Sequence, residues 1–237
     1  MKIITPSYKI IRGLNSDVLP LIEECGRTCY KSEDKITPTS ASRFVKNLVE
    51  KEHESVIEHA HVTVRIIASR SLTHQLVRHR LASYSQESQR YVNYSKGKFE
   101  GVSYIDPMFK VNGTRYTYED YLRFSNKPID CITEEERKVI QFYINFENQC
   151  KSAEESYFEL VSDGVPPEDA RSVLPGCCKT EIVVTANLRV WRHIFKERAI
   201  NNHAQYEIRT IMSSLLTDFK TVLPEIFGDL GENNALS

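Results

Sequence analysis

Two stretches of the chain, residues 60–67 and 180–187, alternate apolar and polar residues. Successive side chains of a β-strand point to opposite faces, so each stretch predicts a strand with one buried face. The residues predicted to share the buried faces are Val62, Val64 and Ile66 in the first, and Ile182, Val184 and Ala186 in the second. Residues 3–12 alternate more loosely and predict a strand near the start of the chain.

Helical periodicity is strongest in two long stretches, one from Thr133 towards Gly164 and one from His203 to Val222. Thr133 and Glu136 have the spacing of a capping box, which places a helix start there. Shorter helical patterns begin after Ser16, Thr39 and Pro166, and two more cover 69–81 and 188–198. Together these elements predict an α/β (α+β) fold, with a mixed or antiparallel sheet flanked by long helices.

Two stretches lack regular periodicity. Residues 83–91 are polar at nearly every position, which predicts a loop rich in hydroxyl and amide groups. Residues 95–131 contain scattered Gly and Pro, which predicts an irregular excursion of loops with a hairpin. Neither a linker nor a repeat interrupts the chain, so a single domain over 1–237 is expected.

Composition narrows the possible functions. With 41% hydrophobic and 27% charged residues and a formal net charge of −1, the 237-residue chain resembles an ordinary globular protein and not a nucleic-acid coat. No apolar run has the length of a membrane span, and the first residues lack a signal-peptide apolar block. A cytoplasmic protein with no nucleic-acid or membrane partner is therefore expected. The six cysteines form no C-x-x-C pair and are interpreted as free thiols.

The triplet Arg78-His79-Arg80 is the first candidate for chemistry. Two guanidinium groups beside an imidazole offer donors for a phosphate, and the hydroxyls of the polar stretch behind them add more. A solvated helix end would also place cations there, since they face the negative pole of the helix. An anion- or RNA-binding module that uses this loop as a phosphate clamp is the alternative function.

Two further clusters are candidates. His53, His59 and His61 could hold a divalent metal, but no fixed ligand spacing supports it, so no metal is expected. A later cluster is rich in arginine and could stabilise an electron-rich ring: Arg171, Asn187, Arg189, Arg192, His193, Arg198, His203 and Gln205. Neither a dinucleotide-binding G-x-G-x-x-G nor a P-loop is present, so a nucleotide would be held mainly by side chains.

A long motif begins at the basic triplet: Arg78-His79-Arg80-x-x-Ser83-x-Ser85-x-x-Ser88-x-Arg90. It resembles R-H-R-x-x-S-x-N-x-x-S-x-R, the signature of the flavin-dependent thymidylate synthases. Three further stretches resemble the same family: His53-Glu54 with Glu58-His59, Ala170-Arg171-x-Val173-Leu174-Pro175, and Thr185-x-Asn187-x-Arg189 followed by Arg198 and His203-Ala204-Gln205.

The resemblance implies a methyltransferase, a thymidylate synthase that reductively methylates dUMP to dTMP with methylenetetrahydrofolate, NADPH and FAD. The positions that it implies for dUMP are Gln75, Arg78, Gln86, Ser88, Gln89, Arg90, Arg171 and Arg198. Those that it implies for FAD are His53, Ser55, Arg78, His79, Arg80, Gln86, Asn187, Arg189 and His193. Arg198 matches the catalytic arginine that favours ionisation of uracil N3.

The family also implies a homotetramer with active sites shared between subunits. The chain departs from the family pattern at three positions. Ser85 stands where the signature has Asn, Gln86 where relatives often have Glu, and His193 where they often have Asn. These departures alter individual contacts and leave the implied reaction unchanged.

Overall fold

The structure is a computed structural model that describes residues 1–96 and 101–231. Residues 97–100, which belong to the predicted excursion, and residues 232–237 lie outside it. None of the helices in the described ranges combines the length and the apolar character that a membrane span requires.

The strands, in chain order, are β1 (Lys2–Ile4), β2 (Ser7–Arg12), β3 (His61–Ser69), β4 (Ala82–Gln86), β5 (Ser103–Ile105), β6 (Lys110–Val111), β7 (Thr114–Arg115) and β8 (Lys179–Asn187). The helices are α1 (Val18–Thr28), α2 (Ser40–Glu50), α3 (Arg70–Leu76), α4 (Tyr118–Ser125), α5 (Glu134–Ser162), α6 (Pro167–Ala170), α7 (Leu188–Phe195), α8 (Tyr206–Val222) and α9 (Pro224–Phe227). Strand pairing is parallel between β1 and β5 and antiparallel between β6 and β7, and the predicted α/β class is confirmed.

The described residues group into two compact units, which alternate along the chain. The first unit contains 1–6, 67–73 and 86–181, and the second contains 7–66, 74–85 and the residues from 182 onwards. The predicted single domain over 1–237 stays a prediction.

A four-stranded sheet in the order β2-β3-β8-β4 forms the centre of the second unit. The strand patterns of β3 and β8 are confirmed, since Val62, Val64 and Ile66 are fully buried, as are Ile182 and Val184. Gly13, directly after β2, has a φ of +91°, and a Cβ there would lie 2.0 Å from the carbonyl oxygen of His61. Glycine is therefore required where β2 ends beside β3.

Aromatic side chains form the core beneath the helices of the second unit. Trp191 and Phe195 of α7 stack at 5.6 Å, and Phe219 of α8 and Phe227 of α9 pack edge-on at 5.0 Å. The indole nitrogen of Trp191 donates to the carbonyl of Val62 at 3.1 Å, so this ring is buried without leaving a polar atom unpaired.

The first unit is built around α5, whose 29 residues begin at the predicted capping box of Thr133 and Glu136. A second capping box, Thr117 with Asp120, starts α4. Tyr143 of α5 is buried and donates to the carboxylate of Asp106 at 2.5 Å. The excursion thus contains a packed helix and the predicted hairpin, β6 with β7.

Several predicted boundaries were wrong. The loop predicted over 83–91 begins as strand β4. The helix predicted over 69–81 covers only Arg70–Leu76, and β3 continues to Ser69 directly before it. The helix predicted over 188–198 ends at Phe195 and continues as a π-helical turn, Lys196–Ile200. The final long helix starts at Tyr206 and not at His203. Residues 3–12 form two strands in different sheets, since Pro6 between them cannot donate a ladder hydrogen bond.

Candidate active site

The junction between β8 and α7 positions the first group of predicted flavin residues. Asn187 ends the strand and caps the helix, because its Oδ1 accepts from the Val190 amide at 2.9 Å. Arg189 and His193 follow one turn apart on α7, and both are exposed. The cap and the helical spacing together turn these two side chains towards one surface.

A cavity of about 340 Å³ opens on this surface. Its lining combines cations, carboxylates and apolar groups: Glu54, Glu58, Leu81, Asn187, Arg189, Val190, His193 and Lys196. Nη1 of Arg189 lies 2.6 Å from Oε1 of Glu58, and its Nε lies 3.7 Å from Oε2 of Glu54. Both carboxylates therefore form ion pairs with the guanidinium of Arg189.

A second cavity of about 410 Å³ lies beside the first and shares Glu54 and Arg189 with it. Two more predicted flavin residues, His53 and Ser55, line this cavity. Both volumes fall within the range of small-molecule sites. Three separate sequence clusters, around 53, 81 and 187–196, are thus brought together in the second unit.

The predicted catalytic arginine is held by the predicted flavin histidine. Nε of Arg198, in the π-helical turn, donates to Nε2 of His79 at 3.0 Å. Burial, then the charges of Arg198 and His193, lower the pKa of His79 from 6.5 to about 4. The imidazole is therefore neutral at pH 7, and because Nε2 accepts, its proton lies on Nδ1. Single π turns inside helices are common at functional sites.

The three residues of the basic triplet differ in burial. His79 is 6% exposed, whereas Arg78 and Arg80 are exposed. The hydroxyl of Tyr84 lies 2.7 Å from the carbonyl oxygen of His79 and fixes the backbone there. Leu81 follows with φ of +64° and is 86% exposed, an unusual backbone for a branched residue at the edge of the first cavity.

The remaining predicted substrate residue of the second unit is Gln75, whose Nε2 donates to Oε1 of Gln205 at 3.3 Å. This contact joins α3 to the residue that precedes α8. Gln205 belongs to the stretch that resembles the family, although no role was assigned to it.

The first unit contains the other predicted substrate residues, and two of its arginines converge on one acidic residue. Nε of Arg90 bonds Oε2 of Glu168 at 3.0 Å, and Nε of Arg171 donates to the carbonyl oxygen of Glu168 at 3.0 Å. Ser88 accepts from the Arg90 amide at 3.3 Å. Ser88, Arg90 and Arg171 therefore belong to one local group.

The side chains of Gln86 and Gln89 are less exposed than that of Arg90. Nε2 of Gln86 donates to Oγ1 of Thr73 at 2.9 Å. Gln89 is 6% exposed, and its Nε2 has no bonding partner among the described residues. Burial, then the charge and hydrogen bond of Glu87, raise the pKa of the nearby Tyr94 hydroxyl well above its usual range, and Gln89 opposes that rise. A buried amide without an acceptor is suited to bind a ligand.

The histidines proposed as metal ligands gain no support. Within 1–96 and 101–231 no group of three or more His, Cys, Asp or Glu side chains could hold a metal ion. The six cysteines are free thiols.

Comparison with known proteins decides the family. Residues 14–225 match the family model of the thymidylate synthase complementing protein, Thy1. A flavin-dependent thymidylate synthase of Geobacter sulfurreducens is 37% identical over 86% of this chain and 78% of its own. Another, from Clostridium tetani, is 38% identical over 83% of this chain and 71% of its own. The chain belongs to the flavin-dependent thymidylate synthase family.

A solved structure supports the fold of this family member. The UMP/dUMP methylase PolB of Streptomyces cacaoi, bound with 5-Br dUMP, superposes with a TM-score of 0.74 over 96% of both chains at 20% identity. The sequence-based assignment to a family of flavin-dependent enzymes is confirmed. The roles of individual residues stay predictions.

Sequence reasoning assigned no role to several residues of this thymidylate synthase family member that line or occupy the predicted sites: Glu54, Glu58, Leu81, Glu168 and Lys196. A signal existed for two of them, because Glu54 and Glu58 lie in the stretch that resembles the family. No pattern marked Leu81, Glu168 or Lys196.

Proposed function

We propose that this chain is an FAD-dependent thymidylate synthase that converts dUMP to dTMP, with the carbon from methylenetetrahydrofolate and the reducing equivalents from NADPH. Membership of the family supports the reaction. The hydrogen bond between Nε of Arg198 and Nε2 of His79 carries the proposal. It joins a side chain predicted to hold dUMP to one predicted to hold FAD.

Arg198 stabilises the reactive form of the uracil ring. Its positively charged guanidinium favours loss of the N3 proton and places electron density on C5. Neutral His79 accepts from Nε and thereby fixes the plane of the guanidinium. C5 then forms a bond to the methylene carbon without a cysteine adduct, and the bond from that carbon to the folate nitrogen breaks. Loss of the C5 proton and two electrons that originate from NADPH complete the methyl group.

Among the thiols of this chain, the buried Cys178 is poorly suited to be a nucleophile. Cys178 is 1% exposed, and burial, followed by the neighbouring Cys177, raises its pKa well above the usual range. A thiol in that environment stays protonated. This supports a route in which charge on the ring and not a covalent enzyme bond activates C5.

The residues around the two cavities fit a flavin nucleotide. FAD, when bound, carries the reducing equivalents from NADPH to the transferred carbon. Arg189 and Lys196 supply positive charge for its pyrophosphate, while Leu81 and Val190 supply apolar contact. Glu58 must leave Arg189 for the phosphate to bind, and an ion pair at an exposed site is weak enough to exchange.

The alternative, a phosphate clamp without chemistry, accounts for fewer observations. A clamp would present the whole basic triplet to solvent, yet His79 is buried and bonded to Arg198. Family membership also favours an enzyme. The homotetramer and the cytoplasmic location stay predictions.

The direct test is product formation by the purified chain. Incubation of the flavin-loaded chain with dUMP, methylenetetrahydrofolate and NADPH should yield dTMP, detected by mass spectrometry, and omission of any one of the three should abolish it. No dTMP from the complete mixture, with folded and flavin-loaded protein, would reject the proposal.

A further inference from the structure

A charged network surrounds one of the predicted substrate segments and has no role in the site described above. The segment, called here the 87–94 segment, runs from Glu87 to Tyr94 in the first unit and contains Ser88, Gln89 and Arg90. Both ends of the segment contribute a side chain to the network.

The centre of the network is the carboxylate of Glu87, which has a different partner on each oxygen. Oε2 accepts from Nζ of Lys179 at 2.8 Å, and Oε1 accepts from the hydroxyl of Tyr94 at 2.9 Å. Nζ of Lys179 also bonds Oε1 of Glu181 at 2.8 Å. Lys179 and Glu181 belong to β8, so this strand fixes the position of Glu87, the first residue of the segment. Glu87 in turn bonds Tyr94, the last residue of the segment.

Backbone contacts reinforce both ends of the segment, and in its middle the side chain of Arg90 bonds Glu168. The amide of Glu87 donates to the carbonyl oxygen of Glu181 at 2.8 Å, and the amide of Tyr94 donates to the hydroxyl of Tyr157 at 3.4 Å. Between them, the amide of Val92 bonds the carbonyl oxygen of Ser88 at 3.0 Å, which forms a turn. The conformation of Ser88, Gln89 and Arg90 therefore depends on how the two ends are held, together with the bond from Arg90 to Glu168.

Burial makes this network stronger than a surface ion pair. The side chains of Lys179 and Glu87 are 18% and 13% exposed, so solvent screens their attraction less. Burial alone would lower the pKa of Lys179, but its bonds to Glu181 and Glu87 outweigh that and raise it. The ammonium group is thus charged at every working pH.

We infer that Lys179 is a positioning residue for the substrate, which acts through Glu87 to hold the 87–94 segment so that Ser88, Gln89 and Arg90 can bind dUMP. The inference rests on the proposed function. It predicts that loss of Lys179 weakens dUMP binding without weakening FAD binding, because the predicted FAD residues, apart from Gln86, lie in the second unit.

The test compares variants of the full-length, FAD-loaded chain by titrating dUMP against the flavin spectrum. We expect Lys179→Met to weaken dUMP binding about tenfold and to raise its KM likewise, while kcat changes less than about twofold. Lys179→Arg keeps the charge and should recover most of the affinity. Tyr94→Phe removes the second bond of Glu87 and should cost about threefold.

Lys127→Met is the matched control, since Lys127 bonds Glu136 at 2.6 Å in the same unit, away from the segment. It should leave dUMP affinity unchanged. A folded Lys179→Met variant with wild-type affinity would overturn the inference, and so would an equal loss in Lys127→Met. If Lys179→Met fails to fold, Tyr94→Phe with wild-type affinity overturns it instead.

A second readout separates this inference from the proposed function. Hydrogen exchange at the amides of 88–93, measured without dUMP, should be faster in Lys179→Met than in wild type. Wild-type protein that binds no dUMP would reject the proposed function, and unchanged exchange would then reject the positioning role independently.

Discussion

The two faces of α7 use the same kind of side chain in opposite ways. On the buried face, Arg192 is 3% exposed and bonds Glu54 at 2.8 Å and Asp229 at 2.7 Å. On the cavity face, Arg189 is 52% exposed and bonds Glu58 at 2.6 Å. The two arginines are three residues apart and share Glu54 as a neighbour.

The difference shows that partners and burial decide what an arginine can do. Arg192 also donates to the carbonyl oxygen of Ile226, so each of its three nitrogens already has a partner inside the fold. Arg189 has only carboxylates at an exposed site, where an ion pair contributes roughly 0–1 kcal/mol. We therefore expect Arg192 to contribute to stability, and the proposed role of Arg189 is to bind a ligand.

The largest expected effect is on stability. Arg192→Met leaves Glu54 without a buried partner and should lower the free energy of unfolding by about 3 kcal/mol, measured by urea denaturation. Arg189→Met, the matched variant on the other face, should lower it by less than about 0.5 kcal/mol. Equal losses in the two variants would contradict the comparison.

The next effect concerns Arg198, in the turn that continues α7. Arg198→Ala removes the charge proposed to activate the uracil ring, and dTMP formation should fall about a hundredfold, ~2.7 kcal/mol. FAD should remain bound, as flavin absorbance after gel filtration would show. Turnover at the wild-type rate would remove Arg198 from the mechanism.

A smaller effect is expected on flavin affinity at the cavity face. Arg189→Ala should weaken FAD binding about tenfold, measured by quenching of flavin fluorescence. Glu58→Gln should do the reverse by a few fold, because it releases the same guanidinium. If both changes weaken binding alike, Glu58 does not compete with the flavin.

The last expected effect is a pH dependence centred on His79. Its folded pKa of about 4 lies below the ordinary 6.5, so the unfolded chain binds the proton more tightly. The stabilisation is present above pH 6.5 and is lost as the pH falls towards 4. In NMR titrations His79 should titrate near pH 4, and Arg198→Ala should raise this value, since the charge of Arg198 contributes to the shift. A titration near 6.5 in wild type would contradict the buried, neutral imidazole.

Elements that bury a periodic face could be predicted from the sequence. Val62, Val64 and Ile66 specified β3, and the box of Thr133 and Glu136 specified the start of α5. Strand β4 was missed because it is the edge strand of its sheet and buries no residue, so it carries no apolar period. For α4 a signal was present, the Thr117-x-x-Asp120 box, and was not used.

The candidate site was predictable where it carries a long motif. The basic triplet indicated a binding site, but nothing in it showed that His79 is buried while Arg78 and Arg80 are exposed. Arg189 and Arg192 look equivalent in the sequence, because their partners Glu58 and Asp229 lie 131 and 37 residues away. Such pairings depend on the folded backbone and not on local pattern.

The absorption spectrum of the purified chain tests the central claim most directly, namely that the cavity face of α7 and the Arg198–His79 pair serve a flavin next to a nucleotide. The account predicts that the protein takes up FAD at about one per chain and that dUMP then shifts the flavin bands. Folded protein that takes up no FAD, or whose flavin bands ignore dUMP, would contradict it.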